Sequence, residues 1–515
     1  MNLPQSSASQ ANSAINSIHF LPAEKRASSL TWVMAALLLV ALSGCKVGPN
    51  YHRPSVPAAP QWKEEPPWRT ATPQDSIPKG AWWAIFGDPE LNQYETQAIA
   101  ASPTIDIARY QLEQARASAR IATSGLYPQA NVSPTAQRQL LAGNRPLSGS
   151  IVPLKPITQN DFILPFNTSW ELDLFGGVRR GIESSNALYQ ASAAALENTR
   201  LVVTSEVAAD YFSLRELDAE IAVVNSAVDY QEKGLKLVQN RHDGGLASGL
   251  DVAQQQTLLE STRTQATLLT QQRAQFEHAI ARLMGTPASS FTVPVKPLEL
   301  KAPVIPTGVP SDILERRPDV AIAERQMASQ NAQIGVAKAA FYPSIGLTGS
   351  GGVNSQVLSD ILKARSAFWA IGASLTQPLV NGGRLSAQLD FAKSGYGASV
   401  SSYRQTVLTA FQEVEDALIG LSVLSQAATT QQRAVEAADR ALKIANDRYV
   451  GGLVTFLDVI TAQETLLDNQ RLATQLLGQQ LVTSVTLIKA LGGGWDATAL
   501  QPVHVDPTWK QAIQP

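Results

Sequence analysis

Residues 241–258 read Arg-His-Asp-Gly-Gly-Leu-Ala-Ser-Gly-Leu-Asp-Val-Ala-Gln-Gln-Gln-Thr-Leu. They return 207 positions later, at residues 448–465, as Arg-Tyr-Val-Gly-Gly-Leu-Val-Thr-Phe-Leu-Asp-Val-Ile-Thr-Ala-Gln-Glu-Thr. Gly244 falls on Gly451 and Asp251 on Asp458. Leu-Met-Gly at 283–285 recurs as Ala-Leu-Gly at 490–492 with the same offset. Earlier in the chain, Pro103 and Tyr127-Pro128 recur as Pro318 and Tyr342-Pro343, now offset by 215. The change of offset fits a shorter strand-pair region in the second copy. Self-similarity of this kind implies internal pseudo-symmetry. Each half repeats one order: helix, Tyr-Pro, strand pair, Gly-Gly turn, very long helix, Gly-Gly-Leu turn, returning helix.

Outward from the quoted turns, the pattern is helical. From Val178 to Asn240 there is no proline, and the only glycines are Gly181 and Gly234. Val207, Leu214, Ile221, Val228 and Leu235 keep a seven-residue spacing, and Leu217, Val224 and Val238 keep a second. Sustained heptads predict coiled-coil packing. Some 60 residues give a rod of roughly 90 Å. Residues 385–447 are its counterpart in the second copy, and 251–284 and 458–491 are returning helices. Asp251 and Asp458 read as first-turn acids that complement the helix dipole.

Between the helices lie segments of alternating character. Leu164, Phe166, Thr168, Trp170, Leu172 and Leu174 share one face, opposite Pro165, Asn167, Ser169, Glu171 and Asp173. Trp369, Ile371, Ala373 and Leu375 do the same, and 129–139 and 344–350 are weaker versions. Alternation fits a lipid-facing barrel strand or a half-buried sheet on a soluble core equally well. Gly346–Gly352 lacks the lysine of a phosphate loop and reads as strand and turn. Residues 286–318 hold seven prolines and read as a surface connector between the copies.

Residues 30–42 form an apolar run behind Lys25 and Arg26, the pattern of a secretory signal peptide. Leu42-Ser43-Gly44-Cys45 follows, and Cys45 is the one cysteine of the 515 residues. It reads as a lipidated mature N-terminus, carrying palmitate-like acyl chains that anchor by burying methylenes. A lone cysteine excludes an intramolecular disulfide and a cysteine zinc site. Net charge is -2 and charged residues are 16% of the chain, which argues against nucleic acid as a partner. The five histidines are scattered, and no nucleophile–base pair or set of paired acids points to a hydrolase. We therefore expect no catalytic residue, no metal and no cofactor.

These features together predict a mainly α chain with a β part, four strands per chain. Four strands cannot close a barrel, for which about eight is the minimum. Three copies would supply twelve strands and a hollow tube of rods. A solid coiled-coil trimer or adhesin is a further possibility, but the small-residue seam of the returning helices argues against it.

The chain resembles the outer-membrane factor family of tripartite efflux systems, the TolC-like channels, and within it the lipidated OprM/NodT-like branch. The matching stretches are Leu42–Tyr51, Trp82-Trp83-Ala84-Ile85-Phe86-Gly87-Asp88-Pro89-Glu90-Leu91, Trp170–Gly176 and the two Gly-Gly-Leu turns. The most specific is Leu314-Glu315-Arg316-Arg317-Pro318-Asp319-Val320, continuing through Ala323-Glu324 and Ile334-Gly335-Val336-Ala337 to Phe341-Tyr342-Pro343. The resemblance implies a homotrimer with a twelve-stranded outer-membrane barrel and a helical barrel in the periplasm. Its partners would be a periplasmic adaptor, an inner-membrane pump of the resistance–nodulation–division type, and outer-membrane lipid. Its function would be passive export of drugs or other small toxic molecules. The alternative is the duct of a type I protein-secretion system, which the lipid-attachment motif disfavours.

On this resemblance the chain divides into a signal peptide (1–44), a lipidated N-terminal segment with equatorial contacts (45–98) and a first repeat (99–285). A proline-rich connector (286–318), a second repeat (319–492) and a C-terminal equatorial tail (493–515) follow. Within the repeats, strands are expected at about 128–175 and 343–381, and helical hairpins at about 178–285 and 384–491. Gly244, Gly245, Leu246, Ser248, Gly451, Gly452, Leu453 and Thr455 would form periplasmic tips that meet the adaptor. Leu457 matches the family's apolar constriction residue. The aspartate often found four residues later is Thr461 here, and the basic residue often found three further on is Glu464. Asp458 would supply an acidic ring instead, or cap its helix.

Overall fold

The computed structural model describes residues 46–55, 62, 81–143, 155–296, 298, 302–303, 305 and 316–493. Cys45, the expected signal peptide and the expected tail beyond 493 lie outside the described residues. The described residues form two compact units, one within 1–49, 123–181 and 334–389, the other within 50–122, 182–333 and 390–515.

The first unit is built on one antiparallel sheet. Its strands are β1 (Gln129–Val132), β2 (Thr135–Leu141), β3 (Ile157–Leu172), β4 (Ser344–Ser355) and β5 (Ala367–Thr376). Four strands were expected, and five occur in four positions. β1 and β2 both pair with the same side of β3, Gln129 opposite Ser169 and Leu141 opposite Ile157. Between them Ser133-Pro134 breaks the ladder, because proline has no N–H to donate. β4 pairs with β3, Leu172 opposite Ile345, and β5 pairs with β4, Ser344 opposite Thr376. Leu174, expected on the apolar face of β3, lies past the strand end, where its N–H donates to the Leu172 carbonyl at 2.9 Å. Gly352 is glycine for a steric reason. A Cβ there would collide with the backbone of Leu164 and Pro165 on β3.

The sheet has no core behind it among the described residues of its unit. Trp369 and Ile371 are 79% and 82% exposed, and Phe166 and Leu375 are also bare. The apolar row on β5 is thus open in the single chain, as is the opposite row of Ala370, Gly372 and Ser374. Among the described residues, no soluble core covers β5.

The helices repeat in pairs. α1 (Pro89–Ala101) starts the series, with Asp88 accepting from the Glu90 and Leu91 amides at 2.8 and 3.3 Å. α2 (Pro103–Ser124) and α5 (Pro318–Ala339) have 22 residues each. α3 (Gly177–Asp243) and α6 (Arg384–Val450) have 67 each. α4 (Gly249–Leu283) and α7 (Phe456–Ala490) have 35 each. The spacings of 207 and 215 read from the sequence are those of the helix boundaries. None of these helices is long and apolar enough to cross a membrane.

In the second unit, the principal core gathers Trp82, Phe86, Leu91, Tyr211, Phe212, Leu214, Tyr403, Val407 and Ile488. Both heptad positions on α3 are used: Val207 and Leu214 of the first and Leu217, Val224 and Val238 of the second are buried, and Gln231 fills the position between the last two. The proline-rich connector is not wholly a surface element. Val293 and Ile305 are buried in the core, and Phe291 packs edge-on to Tyr94 at 5.7 Å.

Candidate functional site: the helical tips and the polar seams of α3

The expected tip residues form two turns of nearly identical build. At the first, Gly244 donates to Asn240 O (3.1 Å), Gly245 to His242 O (2.8 Å) and Leu246 to Arg241 O (2.7 Å). At the second, Gly451 donates to Asp447 O (3.0 Å), Gly452 to Tyr449 O (3.0 Å) and Leu453 to Arg448 O (2.9 Å). These bonds satisfy the last carbonyls of α3 and α6. Gly245 and Gly452 have φ of +75° and +73°, where a side chain is strained. Leu246 and Leu453 stand out at 73% and 72% exposure.

The returning helices are capped by the residues singled out in the sequence. Ser248 Oγ accepts from the Asp251 amide at 3.2 Å, and Asp251 Oδ2 accepts from the Ser248 amide at 3.0 Å. Asp458 Oδ2 accepts from the Thr455 amide at 3.0 Å and from its hydroxyl at 2.7 Å. In the single chain, the Asp458 carboxylate is thus turned back onto its own helix start. Thr461 donates to the Leu457 carbonyl at 2.9 Å, so its hydroxyl is also turned onto its own helix. Leu457 projects from the first turn of α7, 54% exposed, and Glu464 is exposed.

Behind the tips, Val238, Leu258, Leu442, Tyr449, Phe456, Val459 and Ile460 form a separate apolar cluster. The Arg241 guanidinium lies 4.9 Å from the Tyr449 ring centre, and Phe456 packs on the same ring at 5.0 Å. Burial pushes the Tyr449 phenol up, with the Asp251 charge adding and Arg241 opposing.

Sequence reading missed a set of charged groups farther along α3. Asp218, fully buried, accepts from Arg215 Nη1 (2.9 Å), Arg273 Nε of α4 (2.6 Å) and the Lys296 amide (3.2 Å). Arg215 also donates to Glu90 (2.6 Å) and the Pro294 carbonyl (2.6 Å), and Arg273 donates to the Val293 carbonyl (2.7 Å). This network holds the connector against α3 and α4. The Arg215–Asp218 spacing was visible in sequence, but Arg273 and the connector carbonyls are too distant along the chain to have suggested the rest.

Asp210 is pushed up to about 6 by burial and the Glu206 charge, against Arg282. Glu216 is pushed up to about 7 by burial, with the charge of Glu220 and a hydrogen bond to it adding. Glu95 is fully buried, with both carboxyl oxygens lacking hydrogen-bond partners, and desolvation raises it strongly. None of these carboxyls gathers with other ligands into a metal-binding group among the described residues.

In the first unit, the residues that follow Cys45 are held closely. Val47 N donates to Phe175 O (3.1 Å), and Arg180 Nε and Nη2 donate to Val47 O (3.0 Å) and Gly48 O (3.2 Å). A Cβ on Gly335 would lie within 2.8 Å of the Arg180 side chain, so that glycine makes room for the buried guanidinium.

A bare-faced strand sheet and paired long helical hairpins with glycine tips define a class, the channel proteins that combine a β part with a helical barrel. The family model for outer membrane efflux proteins matches residues 96–286 and 309–493, one match on each repeat, and the chain belongs to this family. Among relatives, the probable efflux pump outer membrane protein SepC of Pseudomonas putida is 32% identical over 92% of this chain and 99% of its own. The pyoverdine export outer membrane protein OpmQ of Pseudomonas aeruginosa is 33% identical over 91% and 97%. Among solved structures, the outer-membrane channel OprN superposes with a TM-score of 0.81 at 28% identity, covering 88% of this chain and all of that one. The CmeC outer membrane channel of Campylobacter jejuni gives 0.80 at 27%, covering 88% and 96%. The chain is thus an outer-membrane efflux component of the TolC-like kind, from a family of channels.

Proposed function

We propose that this chain is the passive, homotrimeric duct of a tripartite efflux system, exporting small toxic molecules from the periplasm to the exterior. The observation that carries the proposal is the sheet. Four strand positions with an exposed apolar row and two unpaired edges make a third of a closed barrel. Small organic cargo is favoured because relatives of this chain are named for toluene efflux and pyoverdine export. An inner-membrane pump would supply the energy, and a periplasmic adaptor would meet the tips at Gly244, Gly245, Leu246, Ser248, Gly451, Gly452, Leu453 and Thr455. The flat exposed leucines and small glycines at both turns suit the close approach of a partner helix.

Lipidation at Cys45 fits the clamp on Val47 and Gly48, which would give the anchor a fixed origin. The proposed organisation is an N-terminal segment from 45 to 98, repeats at 99–285 and 319–492, a connector at 286–318 and a C-terminal tail from 493. The periplasmic constriction is assigned to Leu457, which projects from the first turn of α7. Thr461 and Asp458 are weaker candidates, since each is engaged with its own helix.

Planar-bilayer conductance of the purified full chain tests the reading. Wild-type pores are expected to be mostly shut, and Leu457→Gly is expected to open them severalfold. Pores that Leu457→Gly leaves unchanged would move the constriction elsewhere. A folded preparation that never conducts would overturn the duct.

A further inference from the structure

Three glutamines reach into the interior of the second unit from three helices. Gln231 of α3, Gln255 of α4 and Gln463 of α7 are all buried. Gln255 Nε2 donates to the Gln231 main-chain carbonyl at 3.0 Å. A Cβ on Gly234 would lie 3.3 Å from that same nitrogen and 3.9 Å from Gln463 Nε2. The amides of α4 and α7 therefore meet over this glycine of α3. The side-chain oxygens are worse placed than the nitrogens. Oε1 of all three glutamines is sealed from solvent and has no protein partner. An amide oxygen that neither the protein nor water reaches keeps its desolvation cost without a bond to offset it.

The layer stands at a break in the apolar packing. The cluster behind the tips is separate from a second one, of Leu217, Val224, Leu269 and Leu467. On α3, Gln231 lies seven residues from Val224 of the second cluster and seven from Val238 of the tip cluster. On α7, Gln463 stands between Ile460 of the tip cluster and Leu467 of the second. On α4, Gln255 is one turn before Leu258 of the tip cluster. The same unit holds a polar layer of the opposite kind. Gln431 of α6 donates to the Asn469 carbonyl at 3.0 Å and to its Oδ1 at 2.8 Å. Asn469 Nδ2 in turn donates to the Thr465 carbonyl at 2.7 Å. One layer is bonded across its helices, and the other leaves three acceptors bare.

We propose that Gln231, Gln255 and Gln463 form a joint in the α3–α4–α7 packing, the layer at which the tip block parts from the rest of the hairpin and closes again. Opening an apolar layer exposes apolar surface to water and gains no bond. Opening the glutamine layer lets water, or a turned amide, bond the three oxygens that the packed form seals off, which offsets part of the cost. Local opening therefore concentrates at this layer, where the packed form holds its surplus least firmly. No change of charge and no covalent step is involved. The joint goes beyond the duct reading and touches it at one point. α7 carries Leu457 six residues before Gln463, so the proposed constriction rides on the block that the joint frees.

Hydrogen exchange of the purified full chain tests the joint by the sign of two substitutions. Gln463→Met keeps the length of the side chain and removes a sealed oxygen. It is expected to slow exchange about tenfold in peptides spanning Gln231–Val238 and Val459–Leu467, the order that one unbonded buried acceptor allows. Gln463→Leu, a second apolar replacement, should slow the same peptides if methionine packs poorly. Gln431→Met removes an amide that is bonded twice, and is expected to speed exchange in the peptides around Gln431 and Asn469. Slowing at Gln463 with speeding at Gln431 supports the joint. Exchange that neither Gln463 variant slows would overturn it, since the oxygen would then already be bonded in the packed form. Slowing at both positions would overturn it too, as a general gain from apolar side chains. The readout is exchange and not conductance, so failure here leaves the duct and its constriction as they stand.

Discussion

The first hairpin, α3–α4, and the second, α6–α7, share helix lengths of 67 and 35 residues and the same tip turn. Their interiors differ. Arg215, Glu216, Asp218 and Glu220 of α3 correspond to Ser422, Val423, Ser425 and Ala427 of α6. Gln231 and Gln255, buried against each other through a 3.0 Å bond from Gln255 Nε2 to the Gln231 carbonyl, correspond to Ala438 and Ala462. Length, caps and glycine turns therefore set the hairpin geometry, and the seam chemistry is free to diverge. The divergence has a local cause. The charged seam of the first hairpin grips the connector at Val293–Lys296, which leaves α4. The end of the second hairpin is held differently, by Arg317, which donates to the Ala490 carbonyl at 3.1 Å and to Glu413 at 2.7 Å.

The largest contrast should come from Arg215→Ala against Ser422→Ala. Removing Arg215, whose side chain is 2% exposed, leaves Asp218 and Glu90 short of a cation. Breaking a buried pair in this way costs about 3–5 kcal/mol, whereas Ser422→Ala should stay within about 0.5 kcal/mol. Denaturant unfolding in detergent measures both. Equal losses would show that the network does not secure the first hairpin.

A smaller effect is expected from carrying the glutamine layer across. Ala438 is buried, and Ala438→Gln would bring an amide into a seam whose facing residue, Ala462, has no polar group to meet it. An unsatisfied buried amide costs about 1–3 kcal/mol. Gln231 and Gln255 of the first hairpin, and Gln463 of α7, already leave their Oε1 atoms without protein partners. The double change Ala438→Gln with Ala462→Gln should recover part of the loss, because it restores one amide–carbonyl bond. A double variant no better than the single one would mean that the two seams pack at different spacing.

The sequence made the shared features legible for physical reasons. Helix lengths follow from glycine and proline punctuation. The tip turns follow from Gly-Gly-Leu, and the capping acids from their place three residues past Ser248 and Thr455. The strand break was also written, in Pro134, but alternation on either side hid it. The connector misled because proline density was read ahead of Val293 and Ile305, which lie buried between the prolines. The bonds from Arg471 and Gln475 to Glu220 were illegible because they join α3 and α7, more than 250 residues apart. Gly478, a mid-helix glycine with no turn to explain it, was the one local trace of that close α3–α7 approach.

The smallest effects lie at the tips, where the two hairpins agree most closely. Asp251→Ala and Asp458→Ala each remove the acid of one capping box. A cap of this kind is worth about 0.5–1 kcal/mol with its share of the helix dipole. Asp458 also takes the Thr455 hydroxyl at 2.7 Å, so its loss should be the larger by a few tenths of a kcal/mol. Hydrogen exchange over the first turns of α4 and α7 reads each cap separately. Near-equal protection loss would fix Asp458 as a helix-start acid. A much greater change at α7, joined by increased conductance, would mean that its carboxylate has a second task at the constriction beside Leu457, and the near-symmetry of the tips would end at that residue.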